Sequence, residues 1–398
     1  MSVVAILGAI VVWRGRRRRK WANSDWEQMQ EAFRAASTAV ASSKLRLKPA
    51  DDDEHRRRRA FFRDYAKRCG LLGGGVRFVH VAGTNGKGSV CEFMRSALTH
   101  SGLRVAMFTS PHLHTPCERI RISDDLIPEA DFIRLATALR PVFQREGEWM
   151  VPFDRYLTLA LTYFGESAVD TVILETGIGG RFDSTNFLEA PALSVITSIS
   201  FDHEHILGRS LPEIAGQKAG IIKSECPIIS PWTQHPDVKA VLDEEALRQN
   251  TMVQYVCPGK AGSGASSASS GPKTGNEVFQ AENKALAIAA LKILGCSSTG
   301  TSRAFWPARF EVLPRARVPD ESSLRQSPSC QLGTIKTTRS INTLPQPGYF
   351  WDRLWSQFWG LDRRQVVMDG AHNEAALHRL LDMCRDWSAP SLTLTHQP

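Results

Sequence analysis

The segment VRFVHVAGTNGKGS, residues 76–89, decides the fold. Its first half, residues 76–82, is almost wholly apolar and rich in β-branched residues, as in a parallel strand buried on both faces. The glycine-rich stretch 83–89 follows. Apolar residues then recur at helical spacing, at Val90, Phe93, Met94, Ala97 and Leu98. A strand, a glycine-rich loop and a helix in this order predict the start of a doubly wound α/β sheet.

Further strands are predicted downstream of this unit, at Arg104–Phe108, Thr171–Leu174, Leu193–Thr197 and Pro227–Ser230. Polar side chains follow the second and third of these, at Glu175 and at Asp202–His203. Ligands of open parallel sheets lie outside the carboxyl ends of the strands. We therefore expect an α/β fold with a P-loop, a doubly wound and mostly parallel sheet, and a functional site at that edge.

The loop Gly83–Ser89 has the composition of a phosphate-binding loop. Glycines let backbone N–H groups turn towards phosphate oxygens, and the following helix N-terminus adds a partial positive charge. Lys87 can reach the outer phosphates, and the Ser89 hydroxyl can ligate Mg²⁺. Gly88 stands between these two residues, which departs from the ordinary Walker A pattern. The alternative is a glycine-rich turn without function, which this strand-to-helix context disfavours.

Four other polar residues lie in motifs that carry little information singly. Ser110 begins a Ser-Pro turn, and Glu175 is a hard oxygen donor that could equally cap a helix or pair with a cation. His203 alone is more often a structural residue than a ligand, and a lysine such as Lys218 is usually exposed. Ser110, Glu175 and His203 all lie near predicted strand ends, so these three residues are more informative together than singly.

The charge distribution argues against a nucleic-acid-binding protein. The 398 residues carry a net charge of +8, and residues 1–60 hold 14 Lys and Arg against 7 Asp and Glu. The remainder is close to neutral, whereas a nucleic-acid-binding body would carry its basic excess in the folded part. We read residues 1–60 as a basic N-terminal extension, with DDDEHRRRR at 51–59 as a solvated charge block.

The extension begins with an apolar run at residues 3–13, followed by a basic stretch. A run this short does not suit a bilayer-spanning helix, which needs ~20 apolar residues. Its basic flank lies after the run, unlike that of a secretory signal. We expect no stable membrane insertion, and a cytoplasmic or mitochondrial location. An organelle-targeting segment and an unstructured start both stay open.

The rest of the chain divides at compositional changes. Residues 61–300 are predicted to form the nucleotide-binding domain, interrupted by a Gly/Ser-rich linker at 258–276. Residues 301–398 are predicted to form a second, smaller α/β domain. This domain contains a polar, poorly periodic insertion at about 312–365 and is expected to be truncated.

Six motifs occur together in one order: HVAGTNGKGSV, FTSPHL, ERIRI, ETGIGGRFDSTN, FDHEHILG and IAGQKAGIIK. In this order they resemble the folylpolyglutamate synthase and dihydrofolate synthase family of the Mur ligase superfamily. Three later pieces resemble the same family: FQAENKALAIAAL, WPARFEVL and MDGAHNEAA. Ala308 stands where the family usually has glycine. The wording of the first and fourth motifs favours this folate branch over a bacterial-wall Mur ligase.

The resemblance implies roles for matching residues. The ATP-binding residues would be Gly83, Thr84, Asn85, Gly86, Lys87, Gly88, Ser89, Asn283, Arg309, Asp369 and His372. The Mg²⁺ ligands would be Ser89, Ser110, Glu175, His203 and Lys218, with Lys218 carbamylated by CO₂. The residues assigned to catalysis would be Lys87, His203, Lys218 and Arg309.

The resemblance also implies the reaction. ATP would phosphorylate the carboxylate of a folate or a dihydropteroate, and the amine of L-glutamate would then attack the acyl phosphate. The expected protein is a monomeric carbon–nitrogen ligase, with Mg²⁺ and ATP as its requirements. The choice of acceptor stays open. The unusual C-terminal region keeps a second reading open, a non-catalytic or fragmentary ATP-binding remnant of the family.

Overall fold

The computed structural model describes residues 52–112, 115–147, 149–257 and 275–304, and four strands nearer the C-terminus. These residues fall into two compact units, the first taken from residues 52–257 and 280–304 and the second containing the four later strands. The predicted domain boundaries stay predictions. Within the described residues, no helix has the length and apolar composition needed to cross a bilayer.

The helices of the described residues are α1 (Asp52–Arg68), α2 (Lys87–His100), α3 (Glu129–Ala138), α4 (Arg140–Arg145), α5 (Pro152–Glu166), α6 (Glu204–Leu207), α7 (Leu211–Ala219), α8 (Pro236–Arg248) and α9 (Gly275–Ile293). Short 3₁₀ helices occupy Pro116–Arg119 and Thr299–Arg303. The strands of the first unit are β1 (Arg77–Ala82), β2 (Val105–Phe108), β3 (Ile120–Ile122), β4 (Asp125–Leu126), β5 (Thr171–Glu175), β6 (Leu193–Ile196), β7 (Ile228–Pro231) and β8 (Val253–Val256).

The eight strands of the first unit form one sheet with the order β4-β3-β2-β5-β1-β6-β7-β8. Strands β2, β5, β1, β6, β7 and β8 are parallel, whereas β3 and β4 extend the edge as an antiparallel pair. This mixed α/β sheet confirms the predicted fold class. All five predicted strands are present with ends shifted by one residue or less, while β3, β4 and β8 were not predicted. Strand β1 lies between β5 and β6, so the loop after β1 opens at the centre of the sheet.

Two buried clusters pack helices onto this sheet. One joins Phe62 of α1 and Phe164 of α5 to sheet residues such as Phe108, all fully buried. The other joins Ile214 of α7 and Leu242 of α8 to neighbouring strands. Burying a side chain of this size stabilises the fold by about 1.5–3 kcal/mol. The clusters therefore hold β1 and its loop in a rigid frame.

The prediction that the charge block at residues 51–59 is solvated was wrong for two of its residues, whereas Asp53, Arg56 and Arg57 are exposed as expected. Helix α1 begins at Asp52, and the side chains of His55 and Arg58 are buried, with 5% and 3% exposure. A helical repeat places these two residues on the same face as Phe62. Arg58 donates to the carbonyl oxygen of Trp149 at 3.1 Å, so its burial is compensated by hydrogen bonding.

The predicted linker and the predicted insertion each contain residues of a helix or a strand. Helix α9 begins at Gly275, inside the linker predicted at 258–276, and residues 258–274 lie outside the described residues. Strand β10 (Gln357–Leu361) lies inside the insertion predicted at about 312–365. Together with β9 (Glu311–Pro314), β11 (Gln365–Asp369) and β12 (Leu392–Thr395), it forms an antiparallel sheet in the second unit, with the order β12-β10-β11-β9. That part of the segment is therefore strand and not loop.

Candidate functional site

The loop between β1 and α2 makes two close approaches that require glycine. Gly86 caps α2 with a φ of 88°, and a Cβ atom there would lie 2.2 Å from Oδ1 of Asn283. Gly83 has a φ of 143°, and its Cβ would lie 1.9 Å from Oγ1 of Thr197. Both the left-handed backbone and the lack of space exclude larger residues. The glycines thus let this loop pack tightly against α9 and the end of β6.

Hydrogen bonds hold the same loop from the β6 side. The carbonyl oxygen of Ser198 accepts from the backbone N–H of Thr84 at 2.8 Å and of Asn85 at 3.3 Å. The Thr84 hydroxyl donates to the carbonyl oxygen of Ser200 at 3.1 Å and accepts from its backbone N–H at 3.1 Å. The loop is therefore fixed in shape before any ligand arrives.

The N-terminus of α2 is suited to an anion. Its first turn contains no acidic residue, and Gly86 has no side chain with which to cap the helix. The first backbone N–H groups of a helix have no partner within it, and the helix dipole adds partial positive charge. Ser89 lies in this turn with 4% exposure. The arrangement matches the anion site at the start of a phosphate-binding helix.

Two lysine amines converge on the loop. Nζ of Lys87 donates to the carbonyl oxygens of Gly83 and Thr84, each at 3.2 Å. Nζ of Lys218, which is 3% exposed, donates to the same Gly83 oxygen at 2.8 Å. Burial, and after it the positive charge of Lys87, lower the pKa of Lys218 to about 7. An anion bound here would relieve the repulsion between the two amines.

Glu175 and Ser110 lie at the same edge of the sheet. Glu175 is the last residue of β5, pairs in register with Val81 of β1, and is 3% exposed. Its Oε2 atom accepts from the backbone N–H of Ser110 at 3.0 Å. Ser110 follows β2, which adjoins β5. A buried carboxylate and a serine thus lie at neighbouring strand ends beside the glycine loop.

His203 lies further along the same edge, beyond β6. It has a φ of 49° and precedes the short helix α6. Its side chain is 37% exposed, and its Nε2 atom lies 3.8 Å from Oδ1 of Asp202. In the described part of the chain, no group of three or more His, Cys, Asp or Glu side chains could hold a metal ion. A metal site including Glu175 and His203 therefore needs hydroxyl or modified-lysine oxygens as well.

Asp183 organises the loop after β5 and was missed by the sequence analysis. Its buried carboxylate accepts from the backbone N–H groups of Gly177 at 2.9 Å, Ile178 at 3.2 Å and Thr185 at 2.9 Å. Burial raises the pKa of Asp183, while these bonds oppose the rise. An aspartate side chain commonly accepts a hydrogen bond from the backbone N–H two residues later, as Asp183 does from Thr185. The sequence therefore contained a signal for this turn. Asp183 fixes the path of the chain just after Glu175.

Four of the predicted ATP-binding residues lie outside the glycine loop, and the structure describes only two of them. Asn283 of α9 is 1% exposed, and its Nδ2 atom is buried without a hydrogen-bond partner among the described residues. Its side chain lies against Gly86, which brings it to the loop. Arg309 and His372 lie outside the described residues, and Asp369 ends β11 in the second unit. Their assignments stay predictions.

Comparisons with known proteins agree on one family. A dihydrofolate synthase/folylpolyglutamate synthase of Bacillus subtilis is 46% identical over 178 residues, which is 44% of this chain and 41% of the relative. The probable dihydrofolate synthetase of Schizosaccharomyces pombe is 31% identical over 251 residues, which is 59% of this chain and 60% of the relative. These relatives confirm the resemblance to the folylpolyglutamate synthase/dihydrofolate synthase family. No protein-family model matches it.

Solved structures of this family share the fold. The chain aligns with an FPGS–AMPPCP–folate complex at 27% identity and a TM-score of 0.58, covering 73% of this chain and 74% of that one. It aligns with Escherichia coli FolC in complex with DHPP and ADP at 27% identity and a TM-score of 0.55, covering 72% and 68%. The chain spans 41% and 60% of the two curated folate synthases described above.

Proposed function

We propose that the chain is an ATP-dependent ligase that joins L-glutamate to a folate or to a dihydropteroate. One observation carries the proposal. The amines of Lys87 and Lys218 meet on the Gly83 carbonyl oxygen beside the open N-terminus of α2, with Glu175 on the neighbouring strand. The family relationship supports it, because solved members are complexes with AMPPCP and folate or with ADP and DHPP.

The phosphates of ATP would lie along the loop Gly83–Ser89, with the α2 N-terminus and Lys87 neutralising their charge. Asn283 would contribute its unpartnered amide on the adenine side. The predicted contributions of Arg309, Asp369 and His372 belong to the same proposal.

Magnesium fits the donors present at this edge. Hard cations prefer oxygen, and the Ser89 hydroxyl and Glu175 carboxylate are both buried here. The proposed ligands are Ser89, Ser110, Glu175, His203 and carbamylated Lys218. When bound, Mg²⁺ would neutralise the negative charge of the transferring phosphoryl group.

Carbamylation of Lys218 would supply an acidic oxygen donor. The nitrogen of a neutral lysine amine attacks CO₂, and the nitrogen loses a proton as the carbamate forms. Burial favours the neutral amine, because the pKa of Lys218 is lowered to about 7. Carbamylated Lys218 would place an anion beside the Lys87 cation, where two cations had repelled each other.

The proposed reaction has two steps. The acceptor carboxylate attacks the γ-phosphorus of ATP, giving an acyl phosphate and ADP. The amine of glutamate then attacks the acyl carbon, and the tetrahedral species expels phosphate and leaves an amide. Lys87, with the predicted Arg309, would stabilise charge on the transferring group. Water must be kept out at this stage, because it would hydrolyse the acyl phosphate.

Three further expectations belong to this proposal. The chain would act as a monomer. Its site would take a folate and glutamate, with no nucleic acid as partner. Its location would be cytoplasmic or mitochondrial.

The proposal is tested by an omission series on the full chain. Purified protein is incubated with ATP, Mg²⁺, L-glutamate and either dihydropteroate or tetrahydrofolate. We expect phosphate release that needs both acceptor and glutamate, and a product heavier by one glutamate residue. Release of phosphate independent of both would contradict the proposal. The alternative of a non-catalytic remnant predicts nucleotide binding without turnover, and no observation on the described residues favours it.

A further inference from the structure

The side chain of Gln234 takes the place of backbone hydrogen bonds that are missing on the β7 side of the chain after β6. In the β6–β7 pair the register covers Ser194 and Val195 of β6 only, so the chain beyond this point has no ladder on its β7 side. The Gln234 side chain, which is 6% exposed, supplies those hydrogen bonds. Its Nε2 atom donates to the carbonyl oxygen of Thr197 at 2.8 Å, and its Oε1 atom accepts from the N–H of Ile199 at 3.0 Å.

A third bond fixes the Gln234 amide from β7. Nε2 also donates to the hydroxyl of Ser230, a fully buried residue of β7, at 3.1 Å. The amide nitrogen therefore links β7 to the segment after β6, and the amide oxygen adds a second bond to that segment. A buried amide with three partners has a single favourable orientation.

The segment that Gln234 holds is also the one that shapes the phosphate-binding loop. Ser198 lies between the two residues bonded to Gln234, and its carbonyl oxygen accepts from the N–H groups of Thr84 and Asn85. Ser200 follows and exchanges two hydrogen bonds with Thr84. A displacement of this segment must therefore move the acceptors that fix the loop.

We infer that Gln234 is a positioning residue for the phosphate-binding loop, acting through the segment Thr197–Ser200. The inference rests on the proposed function and deepens it, because it assigns part of the nucleotide affinity to a residue of the β7–α8 connection. The same segment continues to His203, one of the proposed metal ligands. Loss of the Gln234 amide should weaken binding of the Mg²⁺–nucleotide complex, since outer partners of a site commonly contribute a factor of about 10–100.

The test compares three variants with the wild-type chain. Gln234→Met keeps the length of the side chain and removes all three bonds. Gln234→Asn keeps a buried amide but is one methylene too short to span Thr197 and Ile199, and it serves if the first variant does not fold. Ser194→Ala is the matched control, because Ser194 is fully buried in β6 and its hydroxyl donates to the carbonyl oxygen of Ile221, at 2.9 Å, and not to the segment Thr197–Ser200.

Two readouts separate this inference from the proposed function. Amide hydrogen exchange of the ligand-free protein reports on Thr84 and Asn85, whatever the reaction. Titration with a non-hydrolysable ATP analogue and Mg²⁺ reports on affinity. We expect faster exchange at Thr84 and Asn85 and an affinity about tenfold lower in the Gln234 variants, with neither change in Ser194→Ala.

Unchanged exchange and affinity in a folded Gln234 variant would overturn the inference while leaving the proposed function intact. Equal changes in Ser194→Ala would also overturn it, because they would show a general loss of stability. A wild-type chain that does not bind the analogue would instead contradict the proposed function. Faster exchange at Thr84 and Asn85 in the Gln234 variants alone would even then support the structural coupling.

Discussion

Lys87 and Lys218 donate to one acceptor, the carbonyl oxygen of Gly83, at 3.2 and 2.8 Å. Lys218 reaches this oxygen from α7, across more than a hundred residues of sequence. Two amines on one neutral acceptor repel each other, which is why the pKa of Lys218 is lowered beyond the effect of burial. A bound phosphate chain, or a carbamate on Lys218, would resolve this conflict. The relationship therefore makes the site specific for negative charge.

Carbamylation predicts a labelled signal that depends on one lysine. With ¹³C-bicarbonate we expect a carbamate resonance in the wild-type chain and its loss in Lys218→Met. Lys223→Met is the matched control, because burial also lowers the pKa of Lys223, to about 8, but its amine bonds to Gly220 and not to the glycine loop. NMR of the three proteins checks this. A resonance that persists in Lys218→Met would contradict the assignment.

The glycine loop predicts a contrast between two substitutions. Gly86→Ala and Gly102→Ala both place a Cβ on a left-handed backbone, at φ 88° and 87°, and each should cost about 1–3 kcal/mol of stability. Only the Cβ at position 86 would collide with Asn283, whereas position 102 faces open space. We expect lost nucleotide affinity in Gly86→Ala alone, measured by analogue titration and thermal unfolding. Equal affinities in the two variants would contradict the account.

The magnesium proposal predicts different effects for two buried glutamates. Glu175→Gln should raise the Mg²⁺ concentration needed for nucleotide binding at least about tenfold, because a hard cation loses a charged oxygen donor. Glu92→Gln is the control. Glu92 is equally buried but forms ion pairs with Arg95 at 2.8 Å and Arg121 at 3.3 Å. The Glu92→Gln variant should be less stable than the wild-type chain but should need the same Mg²⁺ concentration for nucleotide binding. The opposite pattern in a magnesium titration would exclude Glu175 as a ligand.

The buried carboxylate of Asp154 predicts a pH dependence of stability. Burial raises the pKa of Asp154 to about 6 from 3.8. Above about pH 6 the folded state must hold an ionised buried carboxylate, and this penalty disappears as the pH falls towards 4. The wild-type chain should therefore lose up to roughly 3 kcal/mol relative to Asp154→Asn as the pH rises through this window.

Glu213 is a control for which stability should change with pH in the opposite direction. Its pKa is lowered, first by the Ser210 hydroxyl and then by backbone N–H groups. Its stabilisation is present at high pH and lost as the pH falls through the lowered pKa. The wild-type chain should gain stability relative to Glu213→Gln as the pH rises. Denaturant unfolding at several pH values measures the free energy of unfolding of the wild-type chain and of each variant. If the difference between wild type and variant had the same pH slope for Asp154→Asn and for Glu213→Gln, the described environments of the two carboxylates would be contradicted.

Sequence reasoning located the central strands and the glycine loop because local pattern and tertiary role coincide there. Strand β1 is mostly apolar because all of its residues after Arg77 are buried, and Gly83 and Gly86 mark the turn. The charge run at 51–59 was misinterpreted because an acidic block followed by a basic block also fits a helix whose buried charges are compensated by hydrogen bonds, as Arg58 shows. Strand β8 was not predicted, because two of its four residues are half-buried and one is exposed, so it lacks the apolar pattern of a buried strand.

The contacts that unite the site could not be predicted from spacing. Lys218 reaches Gly83 only because α7 packs against the central strands, and Asn283 reaches Gly86 from a helix nearly two hundred residues later. Gln234 carries no motif, since its role depends on where the β6–β7 ladder stops. Such relationships are set by packing and not by local sequence.

The central claim is that this site transfers phosphate to the acceptor carboxylate before glutamate attacks. An acceptor labelled with ¹⁸O in the reacting carboxylate tests it directly, with mass spectrometry of the inorganic phosphate released. We predict that phosphate formed with glutamate present carries one ¹⁸O atom from the acceptor. Amide product accompanied by unlabelled phosphate, or unlabelled phosphate without amide, would contradict the account.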